Sequence, residues 1–429
     1  MKSSRSLAQH LTNHAVDAPE ALALLAAEQS YTWPELLAAA EQLAKSIPSS
    51  PAIVSCQGSS LQLALHAYAS SLKKMPFWPV DRTPKEVPLG DNSHSRPALP
   101  APDTALIIST SGSEGLPKAV QLTNRNLDAA ASAANQRLPL RSGDLWLDCL
   151  PLYHIGGLSI LWRCAQAGAT VLLHEGFDAS RIADDLNNQP VTHISLVPAM
   201  LARLLEIGVK PSPSLRHAIV GGAALSMALY ERAKAAGWPL NPSYGMSESS
   251  AQIATWIESD GPWHEGLVGT ALGENEISLN EDGRIQIRGP QIMPGYLGEE
   301  IRNPDDWFTT GDLGKIDQNL RLTVTGRADE MLISGGRNVH PSEVESCLAG
   351  CPGIQDVAVT ALPDPVWGDL IVALVVGSSS KQEIGEWASS RLHSAAQPRR
   401  IIHLASLPRN ANGKLERSTL RRLASEAPR

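Results

Sequence analysis

The sequence predicts an α/β protein: a large N-terminal domain of parallel-rich βαβ sheets with a small β-rich subdomain, followed by a small α+β C-terminal domain. Three observations predict this fold. At 429 residues, the chain is too long for one hydrophobic core. Apolar strand patterns alternate with helical patterns from residue 146 to residue 220, which is typical of βαβ units. Short alternating segments follow Gly261, and a compact α+β segment begins near residue 326.

The first clear helix covers residues 30–48. Thr32 and Glu35 have the spacing of a capping box, and Pro34 falls in the first turn, where its missing N–H costs little. Leucine, alanine and isoleucine then recur at helical spacing, so one face of this helix is expected to pack against a core.

The remaining elements follow from the same periodicities. A loop rich in Pro, Asp and Ser is predicted at 82–103. Strands are predicted at 105–108, 146–150, 170–173, 193–197, 217–220, 356–361 and 370–376. Helices are predicted at 124–136, 158–166, 180–187, 198–207 and 341–348.

Composition limits the function classes. The chain has 43% hydrophobic and 19% charged residues, which fits a soluble globular protein. Its formal net charge of −8 argues against general nucleic-acid affinity. No apolar stretch approaches the ~18 residues of a membrane span, and the N-terminus lacks a signal core. Five scattered cysteines give neither a disulfide framework nor zinc spacing. We therefore expect a cytoplasmic protein with no membrane span.

A glycine- and hydroxyl-rich stretch follows the strand at 105–108. Glycines let backbone N–H groups approach an anion closely, hydroxyls add donors, and a lysine adds a charge that suits phosphate. The stretch lacks the Walker spacing, and an ordinary polar turn is the alternative interpretation. Its candidate phosphate ligands are Ser109, Thr110, Ser111, Gly112, Ser113, Gly115 and Lys118.

Further candidates lie in four short stretches. Gly221 and Gly222 follow a strand and would let a flat purine approach the backbone, although a plain tight turn has the same pattern. Tyr244 could stack on adenine, and Glu248 could bind Mg²⁺.

Asp312 lies in a Thr-Thr-Gly-Asp turn, where its carboxylate could accept both ribose hydroxyls or close an Asx turn. Lys414 lies in an exposed-looking Asn-Gly-Lys-Leu turn near the C-terminus, where a lone lysine is ordinarily just solvated.

The order of these stretches resembles the adenylate-forming superfamily of acyl-CoA synthetases, carrier-protein adenylation domains and luciferases. The match is dense from about Thr104 to Lys414. Within it, the chain is most similar to the o-succinylbenzoate–CoA ligases of menaquinone biosynthesis. The stretches that carry this similarity are Thr110-Ser111-Gly112-Ser113, Gly115-Leu116-Pro117-Lys118-Ala119, Leu150-Pro151-Leu152-Tyr153-His154 and Thr192-His193-Ile194-Ser195-Leu196-Val197-Pro198.

The resemblance implies ATP and CoA as co-substrates and Mg²⁺ as cofactor. It implies domains over 1–325 and 331–429, with a hinge at 326–330 about which a mobile C-terminal domain turns. The resemblance implies that the stretch 109–118 binds the β- and γ-phosphates, that Glu248 binds Mg²⁺, and that the catalytic residues are Lys414, Glu248 and His154. It implies that Asp312 and Arg327 bind ribose and that adenine is bound by Gly221, Gly222, Ala223, Tyr244 and Gly245. Asp329 would be the hinge residue, and CoA would be bound by Ser334, Gly335 and Gly336.

An acyl pocket of mixed apolar and polar residues is expected beside the nucleotide. Its candidate residues are His154, Gly156, Gly157, Val197, Met200, Arg203, Met246, Ser249 and Gln252. Small residues at Gly156, Gly157 and Gly245 are expected to leave room for a flat ring. Arg203 is the candidate donor for a second substrate carboxylate, and its alternative is an ordinary solvent-facing helical arginine.

The expected activity is an ATP-dependent ligation of an aryl acid, best o-succinylbenzoate, to CoA through an acyl-AMP. The alternatives are another aryl acid of the benzoate or anthranilate type, and a carrier-protein thiol as acceptor. A homodimer would suit the family. One position departs from the family pattern: Glu114 stands in the phosphate stretch where a small hydroxyl residue is usual, and we interpret it as a tuned or solvent-facing position. It is the one support for a nucleotide-binding protein without catalysis, an alternative against which Lys414, Glu248 and Asp312 argue.

Overall fold

The computed structural model describes residues 4–26, 29–49, 53–81, 99–110, 118–409 and 415–427. The N-terminal part contains α1 (Leu7–Asp17), β1 (Leu22–Ala26), β2 (Gln29–Thr32), α2 (Trp33–Ser46), β3 (Val54–Cys56), α3 (Ser60–Leu72), β4 (Phe77–Pro79), β5 (Thr104–Thr110), β6 (Lys118–Thr123) and α4 (Asn124–Arg137). Most of the loop predicted at 82–103 lies outside the described residues.

The predicted helix starts are confirmed at the level of individual atoms. Thr32 caps α2: its backbone N–H donates to the Glu35 carboxylate at 2.8 Å, and its hydroxyl accepts from the Glu35 N–H. The same reciprocal box joins Thr123 to Asn126 at the start of α4. Caps of this kind satisfy N–H groups that have no partner within the helix.

The middle of the chain alternates strands and helices as predicted, with some ends shifted by one to three residues. It contains β7 (Leu145–Asp148), α5 (Ile155–Ala167), β8 (Thr170–Leu173), α6 (Ala179–Asn188), β9 (His193–Leu196), α7 (Pro198–Glu206), β10 (His217–Val220), α8 (Met227–Ala235) and β11 (Leu240–Met246). Strands β1, β8, β7, β9, β10 and β11 lie side by side in that order and are parallel. This order brings the carboxyl ends of β10 and β11 together at one edge of the sheet.

The β-rich segment after residue 250 is antiparallel. Its strands are β12 (Ala251–Thr255), β13 (Leu267–Ala271), β14 (Glu276–Leu279), β15 (Arg284–Arg288), β16 (Gly295–Tyr296), β17 (Phe308–Ile316) and β18 (Leu322–Arg327). Except for β16, they are not a separate sheet, because β12 pairs with β11 and extends the parallel sheet to thirteen strands within the described residues. A core of its own, including Ile253, Ile285 and Leu322, lies beneath them.

A second sheet carries the predicted phosphate stretch. Strands β3, β4 and β5 are parallel, and β6 and β16 follow as antiparallel neighbours. Thr110 pairs with Lys118 across β5 and β6, so the two ends of the stretch 111–117 are fixed beside each other.

The C-terminal part has β19 (Leu332–Ser334), β20 (Arg337–Val339), α9 (Pro341–Ala349), β21 (Ile354–Asp364), β22 (Gly368–Gly377), α10 (Lys381–Ser389), β23 (Arg400–His403) and α11 (Arg417–Glu426). Alternate residues of β21 face opposite sides, as in any pleated strand. Val357 and Val359 pack with α9 and α10, whereas Ala358 packs with α11. The sheet is therefore covered by helices on both faces.

Arg417, at the start of α11, ties this last helix to the rest of the C-terminal part. Its guanidinium lies 2.6 Å from the Glu345 carboxylate on α9 and 3.1 Å from the Glu330 carboxylate just after β18. No helix among the residues described is long and apolar enough to cross a membrane.

Candidate active site

Three predicted nucleotide residues meet at the junction of β11, β17 and β18. The Tyr244 hydroxyl donates to Asp312 Oδ2 at 2.6 Å, and Arg327 Nη1 donates to Asp312 Oδ1 at 3.4 Å. Asp312 and Arg327 are direct partners in the β17–β18 register. Burial raises the pKa of Tyr244, and the Asp312 carboxylate raises it further. The phenol therefore stays protonated and acts as a donor.

Arg327 also binds the predicted hinge residue. Its Nε and Nη2 atoms donate to the two carboxylate oxygens of Asp329 at 2.9 and 3.0 Å. These hydrogen bonds lower the pKa of Asp329 and raise the pKa of Arg327. One guanidinium thus connects the predicted ribose carboxylate to the predicted hinge carboxylate.

The predicted adenine glycines lie where β10 and β11 end. Gly222 has a φ of +78°, a conformation that favours glycine. Gly222 and Ala223 are exposed, as a backbone that receives a flat ligand requires. The parallel pairing of Val220 with Pro242 places this turn beside the Tyr244 segment, at the carboxyl edge where open α/β sheets bind ligands.

The predicted phosphate stretch is described only at its two ends. Ser109 accepts a hydrogen bond from the Trp78 indole at 3.0 Å, and the Thr110 hydroxyl donates to the Lys118 carbonyl at 3.2 Å. Lys118 is exposed at the start of β6. Ser111, Gly112, Ser113, Glu114 and Gly115 lie outside the described residues.

Tyr296 connects Lys118 to the predicted magnesium ligand, and the sequence analysis missed it. The Tyr296 hydroxyl donates to Glu248 Oε1 at 2.9 Å, and Lys118 Nζ lies 4.8 Å from the centroid of its ring. Burial raises the pKa of Tyr296, and the Glu248 carboxylate adds to this effect. The adjacent Gly295-Tyr296 pair was the available signal, but two residues are too few to show a period.

The Glu248 carboxylate fits a magnesium ion shared with a nucleotide. Mg²⁺ prefers oxygen ligands and usually takes one or two protein carboxylates, completing its shell with phosphate oxygens and water. Glu248 is partly exposed. Across the described ranges, no cluster of three or more His, Cys, Asp or Glu could hold a metal by itself.

The predicted acyl residues divide into two groups. His154 and Val197 precede α5 and α7 as their N-caps, and Met200 is buried in α7 against the same core as Val197. Met246 ends β11, where it is half-buried. These four sit at or near the carboxyl edge of the parallel sheet, as the pocket prediction requires.

The two polar residues of the predicted pocket, Ser249 and Gln252, are buried and form hydrogen bonds within the protein. Ser249 is fully buried, and its hydroxyl accepts from the Met246 N–H at 3.1 Å and contacts the Ala251 carbonyl at 2.8 Å. Gln252 is buried and donates to the Thr255 hydroxyl at 2.7 Å. Gln252 Oε1 is buried without a hydrogen-bond partner among the described residues, and the role of these two side chains in acid binding stays a prediction.

Two glycines of the pocket serve the backbone rather than a ring. A Cβ at Gly157 would lie 2.8 Å from the carbonyl oxygens of Leu150 and Pro151, and one at Gly245 would collide with the Ala251 carbonyl. Both positions require glycine because backbone passes there. At Gly156 the nearest atom to a Cβ would be Leu150 Cδ1 at 3.5 Å, so this position alone keeps space of the expected kind.

Arg203 lies on the outer side of α7. Its side chain is 59% exposed and forms an ion pair of 3.0 Å with Glu206. This arrangement favours the solvent-facing alternative over a role in acid binding, which stays a prediction.

The predicted CoA residues lie in the β19–β20 turn. Ser334 is buried, whereas Gly335 and Gly336 are exposed and have positive φ. The Gly335 N–H donates to the Trp367 carbonyl at 2.8 Å, which fixes the turn against the segment before β22. Lys414 lies outside the described residues.

Comparison with known proteins gives the class. Residues 50–297 match the model of the AMP-binding enzyme family, and residues 343–414 match that of the AMP-binding enzyme C-terminal domain. Together with the nucleotide residues gathered at the sheet edge, these matches define an adenylate-forming enzyme. The chain belongs to the AMP-binding enzyme family, and the resemblance seen in the sequence is confirmed.

Two individual relatives within this family are similar to the chain over most of its length. A 2-succinylbenzoate–CoA ligase of Listeria monocytogenes is 37% identical over 325 residues, covering 74% of this chain and 70% of that protein. The 2-succinylbenzoate–CoA ligase of Bacillus subtilis is 36% identical over 335 residues, covering 74% and 68%.

Solved structures agree with these relatives. The o-succinylbenzoate CoA synthetase of Bacillus subtilis, in complex with the acyl-adenylate intermediate, matches with a TM-score of 0.80 at 28% identity over 98% of both chains. The same enzyme with ATP and magnesium matches with a TM-score of 0.80 at 29% identity, over 96% of this chain and 99% of that one. MatB of Rhodopseudomonas palustris with bound ATP, at 23% identity and a TM-score of 0.86, supports the fold alone.

Proposed function

We propose that the protein is an ATP-dependent acid–CoA ligase that acts on o-succinylbenzoate (2-succinylbenzoate) and serves menaquinone biosynthesis. The observation that carries the proposal is the meeting of Tyr244, Asp312 and Arg327 at the carboxyl edge of the sheet. Lys118 and Glu248, which Tyr296 connects, support the proposal further, and relatives at 37% and 36% identity are 2-succinylbenzoate–CoA ligases.

In the first half-reaction, a carboxylate oxygen of the acid attacks the α-phosphorus of ATP, and pyrophosphate leaves. Positioning and charge stabilisation account for most of the catalysis in such transfers. Lys118 would bind the outer phosphates, and Lys414 would stabilise the charge that develops between the acid and the α-phosphate. A magnesium ion held by Glu248 supplies further positive charge at the phosphates when it is bound.

Ribose would bind at Asp312. A carboxylate offers about four lone-pair positions, and Tyr244 and Arg327 occupy two of them. Two positions therefore remain for ribose hydroxyl donors. Tyr244 and Arg327 fix the orientation of the carboxylate, so that the nucleotide meets an acceptor that is already aligned.

In the second half-reaction, the sulfur of CoA attacks the acyl carbonyl of the acyl-AMP. AMP leaves, the thiol proton is released, and a thioester forms. We assign the turn at Gly335 and Gly336 to the pantetheine arm, and the rotation that brings it to the acyl group to the hinge at Asp329. The division into 1–325, 326–330 and 331–429 belongs to this proposal.

The acceptor and the setting complete the proposal. CoA is the acceptor rather than a carrier-protein thiol, and a homodimer is the proposed assembly. The five cysteines are unpaired thiols, which suits a reducing cytoplasm. Faster acyl transfer to a phosphopantetheinyl protein than to free CoA would show that the acceptor is a carrier-protein thiol instead.

The test is pyrophosphate release with ATP and Mg²⁺ across a panel of aryl and aliphatic acids, with and without CoA. We expect sustained turnover with o-succinylbenzoate only when CoA is present, and a product with the mass of the CoA thioester. Preferential turnover of a benzoate or anthranilate would retain the mechanism and overturn the substrate. No release with any acid would contradict the activity and favour the non-catalytic interpretation of Glu114.

A further inference from the structure

Tyr296 is a polar aromatic residue that lies between two oppositely charged residues of the proposed phosphate region. Its hydroxyl is 2.9 Å from Glu248 Oε1, and its ring centroid is 4.8 Å from Lys118 Nζ. A phenol hydroxyl donates to a carboxylate, and an aromatic face attracts an ammonium group. One neutral side chain therefore contacts both charges through different chemistry.

The backbone holds this side chain in place from three directions. Tyr296 pairs with Val120 in the β16–β6 register, two residues from Lys118. The Leu297 N–H donates to the Ala119 carbonyl at 2.8 Å. The Met293 N–H donates to the Glu248 carbonyl at 2.9 Å, which ties the segment before Tyr296 to the turn that carries Glu248. The ring is thus anchored to the elements of both charged residues.

We propose that Tyr296 is a positioning residue that sets the Glu248 carboxylate, relative to Lys118, in the orientation that receives the magnesium–ATP complex. The inference rests on the proposed ATP-dependent function and deepens it. The hydroxyl engages Oε1 and leaves Oε2 to face the cation. Without the hydroxyl, the carboxylate would lose its fixed rotamer, and metal-dependent ATP binding would include the cost of ordering it.

The experiment compares ATP binding with and without the metal by titration calorimetry, in the absence of any acid. Tyr296→Phe keeps the ring over Lys118 and removes only the hydroxyl. We expect its affinity for ATP with saturating Mg²⁺ to fall on the order of tenfold, the scale of one hydrogen bond to a charged group. Its affinity for ATP in EDTA should change by less than about twofold, because Glu248 acts only through the metal.

Two further variants complete the design. Tyr31→Phe is a matched control, because Tyr31 also donates through its hydroxyl, at 2.6 Å to Gln29 on β2. It should leave both affinities unchanged. In the double variant Tyr296→Phe/Glu248→Gln, binding with Mg²⁺ should be no weaker than in Glu248→Gln alone if Tyr296 acts through Glu248.

Equal losses with Mg²⁺ and in EDTA would overturn the proposal and make Tyr296 a structural residue. Unchanged or tighter binding with Mg²⁺ would also overturn it. Because the assay contains no acid, a wrong acid in the proposed function leaves its result unchanged, so the two failures are distinguishable.

Discussion

The proposed ribose end and the proposed phosphate end of the nucleotide site are built from different contacts. At the ribose end, Arg327 is paired with Asp312 and Asp329, and Tyr244 adds a donor, so the charges are already joined in one hydrogen-bonded network. At the phosphate end, Lys118 and Glu248 are connected through the neutral ring and hydroxyl of Tyr296. At the proposed ribose end the three side chains are therefore already joined to one another, whereas at the proposed phosphate end Tyr296 connects the two charged residues.

The largest effect is expected from a residue at neither end. Lys414→Ala should slow acyl-AMP formation on the order of 10²–10³-fold, the scale of removing one transition-state donor. Thioester formation from supplied acyl-AMP should survive, because the lysine is proposed to act only in the first half-reaction. Single-turnover assays of each half-reaction measure this. Equal losses in both would show that the division of labour between the half-reactions is wrong.

The next effect separates the two ends directly. Asp312→Asn should weaken ATP binding roughly 10–100-fold, since hydrogen bonds to a charged acceptor contribute about 1.5–3 kcal/mol. Binding of inorganic tripolyphosphate with Mg²⁺ should change by less than about twofold, because that ligand lacks ribose. The matched control is Asp317→Asn. It also removes a carboxylate of the β17–β18 hairpin, one that forms an ion pair with Arg321. A parallel loss of tripolyphosphate binding would show that the two ends are not independent.

A buried histidine of the thirteen-stranded sheet, which carries the proposed ribose end, makes the stability of the protein depend on pH. His193 is fully buried, and burial lowers its pKa to about 3, with His217 adding to the effect. An unfolded histidine titrates near 6.5, so below that pH the unfolded chain takes up a proton that the folded chain does not. Stability should fall by about 1.4 kcal/mol per pH unit from this residue as pH drops from 6.5 towards 3.

Thermal melts between pH 7 and pH 4.5 measure this slope. His193→Gln should reduce it, whereas His264→Gln, at an exposed histidine, should not. Some slope should remain, because burial also lowers the pKa of His174 and His217. An unchanged slope in His193→Gln would contradict the assignment.

The smallest effect concerns the acyl side. Arg203 is exposed and paired with Glu206, and such surface pairs typically contribute under about 1 kcal/mol. Arg203→Ala should therefore leave both Tm and the KM for o-succinylbenzoate nearly unchanged. A large rise in KM with kcat unchanged would instead restore Arg203 as the partner of the second carboxylate.

Much of this architecture was predictable from local patterns. The ends of β10 agree with the prediction, and the cap at Thr32 is the one that the side chains indicate. Such features depend on residues a few positions apart. The nucleotide residues stay predictions, which were made because the short stretches around them have an unusual composition.

What escaped prediction depends on pairing between distant strands. The resemblance assigned Asp312 and Arg327 to the same ribose, but their contact depends on a register that shifts between Leu313 and Gly314, and no local pattern encodes that shift. Tyr296 reaches Glu248 because β16 pairs with β6. The Ser249 hydroxyl contacts the backbone because the positive φ values of the next two residues turn the chain back onto it, and its role in acid binding stays a prediction.

Arg417 also connects the beginning of the C-terminal part to its last helix, so that this part can be transferred to another protein as one unit. Because its guanidinium forms ion pairs with both Glu330 and Glu345, the first residue after Asp329 and the last helix are joined to each other. A cut made immediately before Glu330 keeps both ion pairs within the C-terminal part. A cut made one residue later removes Glu330 and with it one of the two ion pairs. Grafts of this module onto other members of the family should therefore be joined at Asp329.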